Sequence, residues 1–396
     1  MKFSVLLPTR NRLELLRCAI ETVRRQDYGD WEIVVSDNAS EQDIAGHVRA
    51  LNDPRIRYYR TGSFVPVTEN WNNALEKSTG DYVVMLGDDD CLMKRYFSTL
   101  RGLIEERGAP DLVYHSALLY AYPGVMPGFP EGFVQPYGYA GFLKNAREPF
   151  WLERAAALQC VRASMDFRVT FGFNMQFALV SRRLIDALRH KGPFFQSPYP
   201  DYYAMNASLL KAERILVCPQ PLVTIGISPK SFGYYYFNRS EQSGIEFLNN
   251  APDAESLGRL EQVLLPGSEM NNSWLIAMET LRVNYGAECG LEVNYRRYRL
   301  LQIFQTCMAM SEAGAAGPRM AELRRKLRLG EKCAAAALWV LAKLAGLLPG
   351  RARQKVNSAV MVLAGVYPRY APRRIVGRYR SILEVYEGRH GDFLGQ

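Results

Sequence analysis

An α/β fold, with a doubly wound and mostly parallel sheet followed by a helical C-terminal region, is what this sequence predicts, and three observations carry it. Short runs that are apolar along their whole length stand at residues 3–7, 31–35 and 82–86, the pattern of strands covered on both faces of a parallel sheet. Between them apolar residues recur at helical spacing, as in Leu13, Leu15, Leu16, Ala19, Ile20 and Val23, so strands and helices alternate and right-handed crossovers follow. After about residue 240 the alternation stops, and the rest reads as helices with no internal repeat.

In order, residues 3–7 form a first strand that leaves through Pro8-Thr9-Arg10-Asn11-Arg12, and residues 31–35 a second that closes in Ser36-Asp37-Asn38-Ala39-Ser40. A helix at about 41–51, a strand at 56–60 and a helix at about 68–78, containing Asn70-Trp71-Asn72-Asn73, lead through Thr79-Gly80 to the central strand. That strand stops abruptly in Gly87-Asp88-Asp89-Asp90. Residues 111–116 and 222–225 suggest further strands, and Tyr120 to Tyr139, rich in Gly, Pro and aromatics, an ordered loop. Three adjacent carboxylates raise one another's pKa unless a cation or several hydrogen bonds hold them ionised, and ligands of open α/β sheets bind past the strands' C-terminal ends. The triplet therefore reads either as a divalent-metal site facing a phosphate-bearing substrate or as a solvated acidic turn capping the next helix.

Composition narrows the classes. The 396 residues, 48% hydrophobic and 22% charged, are those of an ordinary globular protein of more than one domain. Seven cysteines at 18, 91, 160, 218, 289, 307 and 333 never form CxxC, which argues against a zinc site or a disulfide framework and for a reducing compartment. With strand-like residues from Lys2 onward and no apolar stretch long enough to span a bilayer, neither signal peptide nor transmembrane helix is expected. There is no GxGxxG, P-loop, HExxH or GxSxG, so a dinucleotide fingerprint, a Walker nucleotide site, a zinc hydrolase and a serine hydrolase elbow are disfavoured. The net charge of +9 resides in the tail, since residues 317–396 hold 16 Lys and Arg against 5 Asp and Glu.

Four motifs in order, Pro8-Thr9-Arg10-Asn11-Arg12, Val34-Val35-Ser36-Asp37-Asn38-Ala39-Ser40, Asn72 ahead of Gly80-Asp81-Tyr82-Val83, and Leu86-Gly87-Asp88-Asp89-Asp90, resemble the donor-binding half of a family 2 glycosyltransferase of GT-A fold. The resemblance is close over residues 1–100 and looser over 101–235. It implies that Pro8, Thr9 and Arg10 line a nucleotide, that Asp37 accepts from the imide N–H of a uracil-like base, that Asp88 holds the ribose, and that Asp89 and Asp90 bind Mg2+ or Mn2+ on the diphosphate. Many relatives carry Asp at the position of Gly87, so the shifted triplet leaves open which two carboxylates touch the metal. Asp37 also reads as an Asx turn and Asn72 as a helix cap.

In the family a carboxylate opening a helix beyond residues 171–181 serves as catalytic base, which implies Asp201 in Pro198-Tyr199-Pro200-Asp201, with Asp166 in reserve. A nucleoside diphosphate leaves as a weak base already neutralised by metal, so one base suffices for inverting transfer to a hydroxyl. Asp201 also reads as a helix-capping residue, and His115 as a core histidine. The loop Gly226-Ile227-Ser228-Pro229-Lys230-Ser231-Phe232-Gly233 suggests a flap with Lys230 on the diphosphate, or a linker.

The domains expected are 1–235 for donor binding and catalysis, 236–316 as a helical extension and 317–396 as a basic amphipathic tail. Within that tail residues 333–348 are apolar apart from Lys343; Arg324, Arg325, Lys326, Arg328 and Lys332 precede them, and Arg351, Arg353 and Lys355 follow. Arg369, Arg373, Arg374, Arg378 and Arg380 are interleaved with tyrosines. Such a tail suits an anionic membrane surface or a plain helical bundle with a basic face, and no nucleic-acid motif accompanies it. The expectation is a cytoplasmic enzyme, peripheral on the inner face of the membrane, that moves a sugar from a UDP-type donor to a lipid-linked glycan. The alternatives are a nucleotidyltransferase, or a GT-A scaffold without activity at the membrane.

Overall fold

A computed structural model describes residues 1–126, 129–137, 140–143, 146–238, 240–250, 254–312, 317–363, 365 and 375–388. They fall into two compact units, the first made of 1–160, 171–251 and 370–396, the second of 161–170 and 252–369.

The first unit opens with β1 (Phe3–Thr9), α1 (Leu13–Arg24), β2 (Trp31–Asp37), α2 (Ile44–Ala50), β3 (Ile56–Arg60), α3 (Val67–Glu76) and β4 (Tyr82–Met85). Strands β1, β2 and β4 are buried along their whole length, as unbroken apolar runs require. They pair parallel in the order β4-β1-β2-β3. The chain runs from β1 to β2 on one side and reaches β4 on the other, so strand order reverses between β1 and β4. A crevice opens past their C-terminal ends. Helix α3 is fastened to β2 by Ser36, whose hydroxyl donates to Asn70 Oδ1 at 2.6 Å and accepts from Asn73 Nδ2 at 2.7 Å.

Beyond the acidic turn the chain forms β5 (Cys91–Leu92), α4 (Tyr96–Arg107), β6 (Leu112–Ala121), β7 (Phe133–Pro136), β8 (Phe150–Leu152) and α5 (Arg154–Met165). After it come β9 (Ala178–Ser181), α6 (Arg182–Leu188), α7 (Pro200–Lys211), β10 (Ile215–Ile227), α8 (Phe232–Phe237) and α9 (Glu241–Leu248). Here the sheet turns antiparallel: β9 lies between β4 and β6, antiparallel to both, and β7 returns along β6. Strands β6 and β10 run parallel and are longer than the expected 111–116 and 222–225. Pairing with each other, rather than local propensity, extends them. Residues 120–139 give up their expected loop character where β7 forms, and Tyr139 lies outside the described residues.

Helix α5 crosses into the second unit, which contains α10 (Ala254–Leu260), α11 (Glu269–Cys289), α12 (Tyr295–Glu312), α13 (Gly317–Lys326), α14 (Leu329–Gly346) and α15 (Gly350–Leu363). It is helical among the described residues, as expected beyond 240. Its centre is polar as well as apolar: the Arg299 guanidinium, 1% exposed, pairs with Glu331 at 2.7 Å and donates to the carbonyls of Gln262, Val263 and Lys326.

The last described segment rejoins the first unit. Strand β11 (Gly377–Arg378) pairs antiparallel with β7, and α16 (Ile382–Glu387) buries Ile382, Val385 and Tyr386 against Cys91, Met93, Leu118, Tyr120 and Val134. Arg378, Tyr379 and Arg380, read from sequence with a membrane-facing tail, thus adjoin a sheet edge, and Arg369, Arg373 and Arg374 lie outside the described residues.

Candidate functional site

The crevice past β1 and β4 gathers the three loops singled out by sequence. β1 ends in Pro8-Thr9, β2 in Asp37, and β4 runs into Gly87-Asp88-Asp89-Asp90. Asn11, at φ 51°, takes a left-handed turn that asparagine tolerates. Its backbone N–H donates to Ser40 Oγ at 2.9 Å and its Oδ1 accepts from Glu41 N at 2.7 Å, so the first loop is tied to the second.

The three adjacent carboxylates do three different things. Asp88 is fully buried, accepts from Thr9 Oγ1 at 2.6 Å and from Arg12 Nε at 3.0 Å, and lies 2.7 Å from a second Arg12 nitrogen. Burial and then Asp89 push its pKa up, while Arg12 and Thr9 pull it down. Asp90 faces inward: Oδ2 accepts from Gly87 N at 2.7 Å and Gln176 Nε2 at 2.9 Å, and Oδ1 from Gly226 N at 2.8 Å. Its pKa is raised by burial first and by Asp89 second, against those three donors. Asp89 accepts from Ser228 Oγ at 2.7 Å through Oδ2, and Oδ1 makes no hydrogen bond among the described residues.

Gly87 has a structural reason. A Cβ there would lie 2.6 Å from Asp90 Oδ2, an oxygen pinned by two donors. The carboxylate that many relatives carry at this position has no room while Asp90 points inward. Gly226 is equally constrained, since its Cβ would stand 1.9 Å from the Asp89 carbonyl oxygen.

The loop 226–233 touches the first loop. Arg12 donates to the Lys230 carbonyl at 3.1 Å, and Lys230 Nζ to the Asn11 carbonyl at 3.4 Å, which holds 228–230 over the first loop. Arg12 thereby spans Asp88, Asp89 at 3.9 Å, and the flap. Sequence reasoning gave it no role, although a lone arginine two residues from Arg10 in a loop facing three carboxylates was a usable signal. Gln176 and Ser228 were also missed, and neither carried a local signal.

Asp37 is buried, accepting from Tyr58 Oη at 2.6 Å and Ser40 N at 3.0 Å. It is both the Asx-type turn and, with lone pairs to spare on each oxygen, a possible acceptor for a base. Arg10 stacks its guanidinium 3.7 Å above the Phe64 ring. Asn72 is not gathered in. It clasps Phe195 by accepting from its N–H at 3.1 Å and donating to its carbonyl at 2.8 Å, and donates to Thr68 O. This fixes α3 against the segment leading to α7.

Asp201 sits in the first turn of α7, after Pro200 at the N-terminus. Burial raises its pKa to about 7, while its own N–H and that of Tyr202 work the other way. The Asp201 charge is felt by Tyr137, whose ring lies 5.6 Å from Phe177. Gln176 next door reaches Asp90, so the 3-10 turn Met175–Phe177 stands between the candidate base and the acidic turn. His115 is fully buried, its Nδ1 2.9 Å from the Ser116 carbonyl, as a core histidine would be. Asp166, the reserve base, belongs to the second unit and accepts from Asn294 Nδ2 at 3.0 Å.

No three His, Cys, Asp or Glu side chains converge as a ready-made metal cage among the described residues. That donor set still fits Mg2+ or Mn2+, because a small hard cation takes one or two carboxylates and completes its shell with substrate phosphate and water. Asp89, with one uncommitted oxygen, meets that requirement; Asp90, expected beside it, has both oxygens engaged by inner donors.

Comparison with known proteins agrees with the motif order. The model of glycosyl transferase family 2 matches residues 4–118. The chain is 40% identical over 102 residues to the GalNAc(5)-diNAcBac-PP-undecaprenol beta-1,3-glucosyltransferase of Campylobacter jejuni, covering 25% of this chain and 33% of that protein. It is 30% identical over 149 residues to the putative colanic acid biosynthesis glycosyl transferase WcaA of Escherichia coli, covering 36% of this chain and 52% of the relative. The matches therefore span from a third to about half of the length of these curated relatives. Among solved structures, S. aureus TarS 1–349 aligns at 18% identity over 82% of this chain and 89% of that chain, with a TM-score of 0.44. Over its β1 to β6 region, whose motifs collect at the β1/β4 crevice, the chain matches glycosyl transferase family 2.

Proposed function

We propose that the protein is a metal-dependent, inverting glycosyltransferase that moves a sugar from a nucleotide donor, a UDP-sugar, to a hydroxyl of a lipid-linked glycan. The observation that carries this reading is a pair of carboxylates in different surroundings. Asp89 offers an uncommitted carboxylate oxygen at the mouth of β4, and a carboxylate of raised pKa opens α7 beyond the Met175–Phe177 turn. The acceptor class is supported by the Campylobacter relative, whose name specifies an undecaprenol-linked substrate. An acceptor tethered to lipid places the enzyme at a membrane surface.

Pro8, Thr9 and Arg10 line the nucleotide in this reading, with Asp37 at the base and Asp88 toward the ribose. Asp89 would hold the cation, which would supply charge neutralisation on the diphosphate. Lys230 and the flap close over the donor, with Arg12 as the hinge contact. Asp201 takes the proton of the acceptor hydroxyl as its oxygen attacks the anomeric carbon in line and the nucleoside diphosphate departs. Asn72 acts at one remove, positioning α7 through Phe195.

Titration calorimetry of UDP, GDP, CMP and ADP, with and without Mn2+, tests the donor site. Metal-dependent binding of UDP is expected. Binding of none of the four would sink the reading, and pyrophosphate rather than UDP among the products of turnover would assign a nucleotidyl transfer instead.

The base has its own signature. Asp201 works only when ionised, so kcat/KM should rise with pH and level off above about 7. Stability should move the other way. The folded carboxyl keeps its proton up to about 7 whereas the unfolded one loses it near 3.8, so the folded state binds more protons between these values and its stability falls as pH rises through that window. Asp201→Asn should remove both trends, and a pH profile unchanged in that variant would dismiss Asp201 as base.

A further inference from the structure

The second unit leaves a large apolar surface uncovered. Among the described residues, fifteen large hydrophobic side chains are exposed, and ten of them lie between 329 and 363. On α14, one face is used internally: Ala335, Leu338, Ala342 and Ala345 pack on a core containing Ile303, Cys307 and Leu323. Away from it α14 carries Trp339, Val340, Leu341 and Leu344, and the turn that follows adds Leu347 and Leu348, with Leu341 60% and Leu347 82% exposed. A helix apolar on both faces has a second apolar neighbour to meet. Helix α15 repeats the arrangement, with Met361 buried and Val356, Val360 and Leu363 exposed.

The charges on the same two helices indicate what that neighbour is. Between 329 and 363 the only acid is Glu331, and its carboxylate is already paired with buried Arg299. Lys332, Lys343 and Lys355 are exposed. Lys343 Nζ lies 5.4 Å from the Trp339 ring centroid, a basic head alongside an aromatic ring on the apolar face. A second copy of this chain would bring these cations against one another, whereas an anionic lipid surface neutralises them while taking up the leucines. No helix among the described residues is long and apolar enough to cross a bilayer, so the helices would lie in the interface rather than span it.

We infer that the outer face of α14 and α15 is an interfacial membrane-binding surface specific for anionic lipid. It narrows the basic segment 317–396 to two helices. The inference rests on the reading of a membrane-tethered acceptor for its use but on α14 and α15 alone for its evidence, so vesicle binding and sugar transfer can fail separately.

Flotation of the full chain with phosphatidylcholine vesicles, with and without phosphatidylglycerol, tests it without any donor or acceptor. The wild type should float with the anionic vesicles only, less so at high salt, with a blue shift of tryptophan emission. Leu344→Glu with Leu347→Glu, both at exposed positions, should melt like the wild type and float roughly tenfold less. Lys332→Gln with Lys343→Gln should keep the apolar face but lose the preference for anionic lipid. Failure of the wild type to float with either vesicle would overturn the proposal. So would a dimer, seen by light scattering without lipid, that the double glutamate variant dissociates.

Discussion

Asp89→Ala should lower the rate of sugar transfer by about 10²–10³-fold, the scale of removing one electrostatic contact to developing charge, and should leave the melting temperature almost unchanged. Its neighbour should behave the opposite way in the first respect that matters for folding. Asp89 contributes one hydrogen bond from Ser228, a net of about 1 kcal/mol. Asp90→Ala strands the N–H groups of Gly87 and Gly226 and the Gln176 amide. Buried donors left unsatisfied cost about 1–3 kcal/mol each, so the variant should melt on the order of 10 °C lower. Parallel melting curves and UDP titrations separate the two roles. If Asp90→Ala folds normally and loses only metal-dependent binding, Asp90 is a metal ligand and the inward geometry does not describe the working site.

Arg12→Ala should be the most damaging single change in the first loop. Asp88 is 0% exposed and Arg12 13%, and breaking such a pair by deleting one partner costs about 3–5 kcal/mol because the other charge stays buried. The flap contact to the Lys230 carbonyl goes with it, so donor affinity should fall as well as stability. Arg12→Lys restores a charge without the planar fork that reaches both Asp88 oxygens. It should recover part of the stability and little of the affinity. An Arg12→Ala protein with a wild-type melting curve would show that Asp88 is protonated and needs no counter-ion.

The run 82–86 could only be a strand covered on both faces, and the alternation before it could only build parallel crossovers, because those patterns are local and repeat at a fixed period. The same locality put Thr9, Asp37 and residues 88–90 at strand ends, and therefore in one crevice. The direction of each carboxylate was not local. Asp90 is turned inward by residues 86 and 136 positions away, and Asp89 is met by a serine 139 positions away. The return of the C-terminal segment to the sheet at β7 was equally out of reach, since Gly377 and Arg378 carry no strand pattern and pair only because an edge is there to receive them. The uncovered face of α14 was half legible: composition gave an apolar helix with basic flanks, and only packing showed which side the core had already taken. The sequence by itself determined the parallel half of the sheet, the family resemblance and the place of the site, because hydrophobic periodicity and strand-end position are properties of short stretches. Tertiary structure alone decided which acid can meet a ligand, which arginine balances the buried charge and which helix face is left for a partner, because each depends on the partner groups that folding brings from far along the chain.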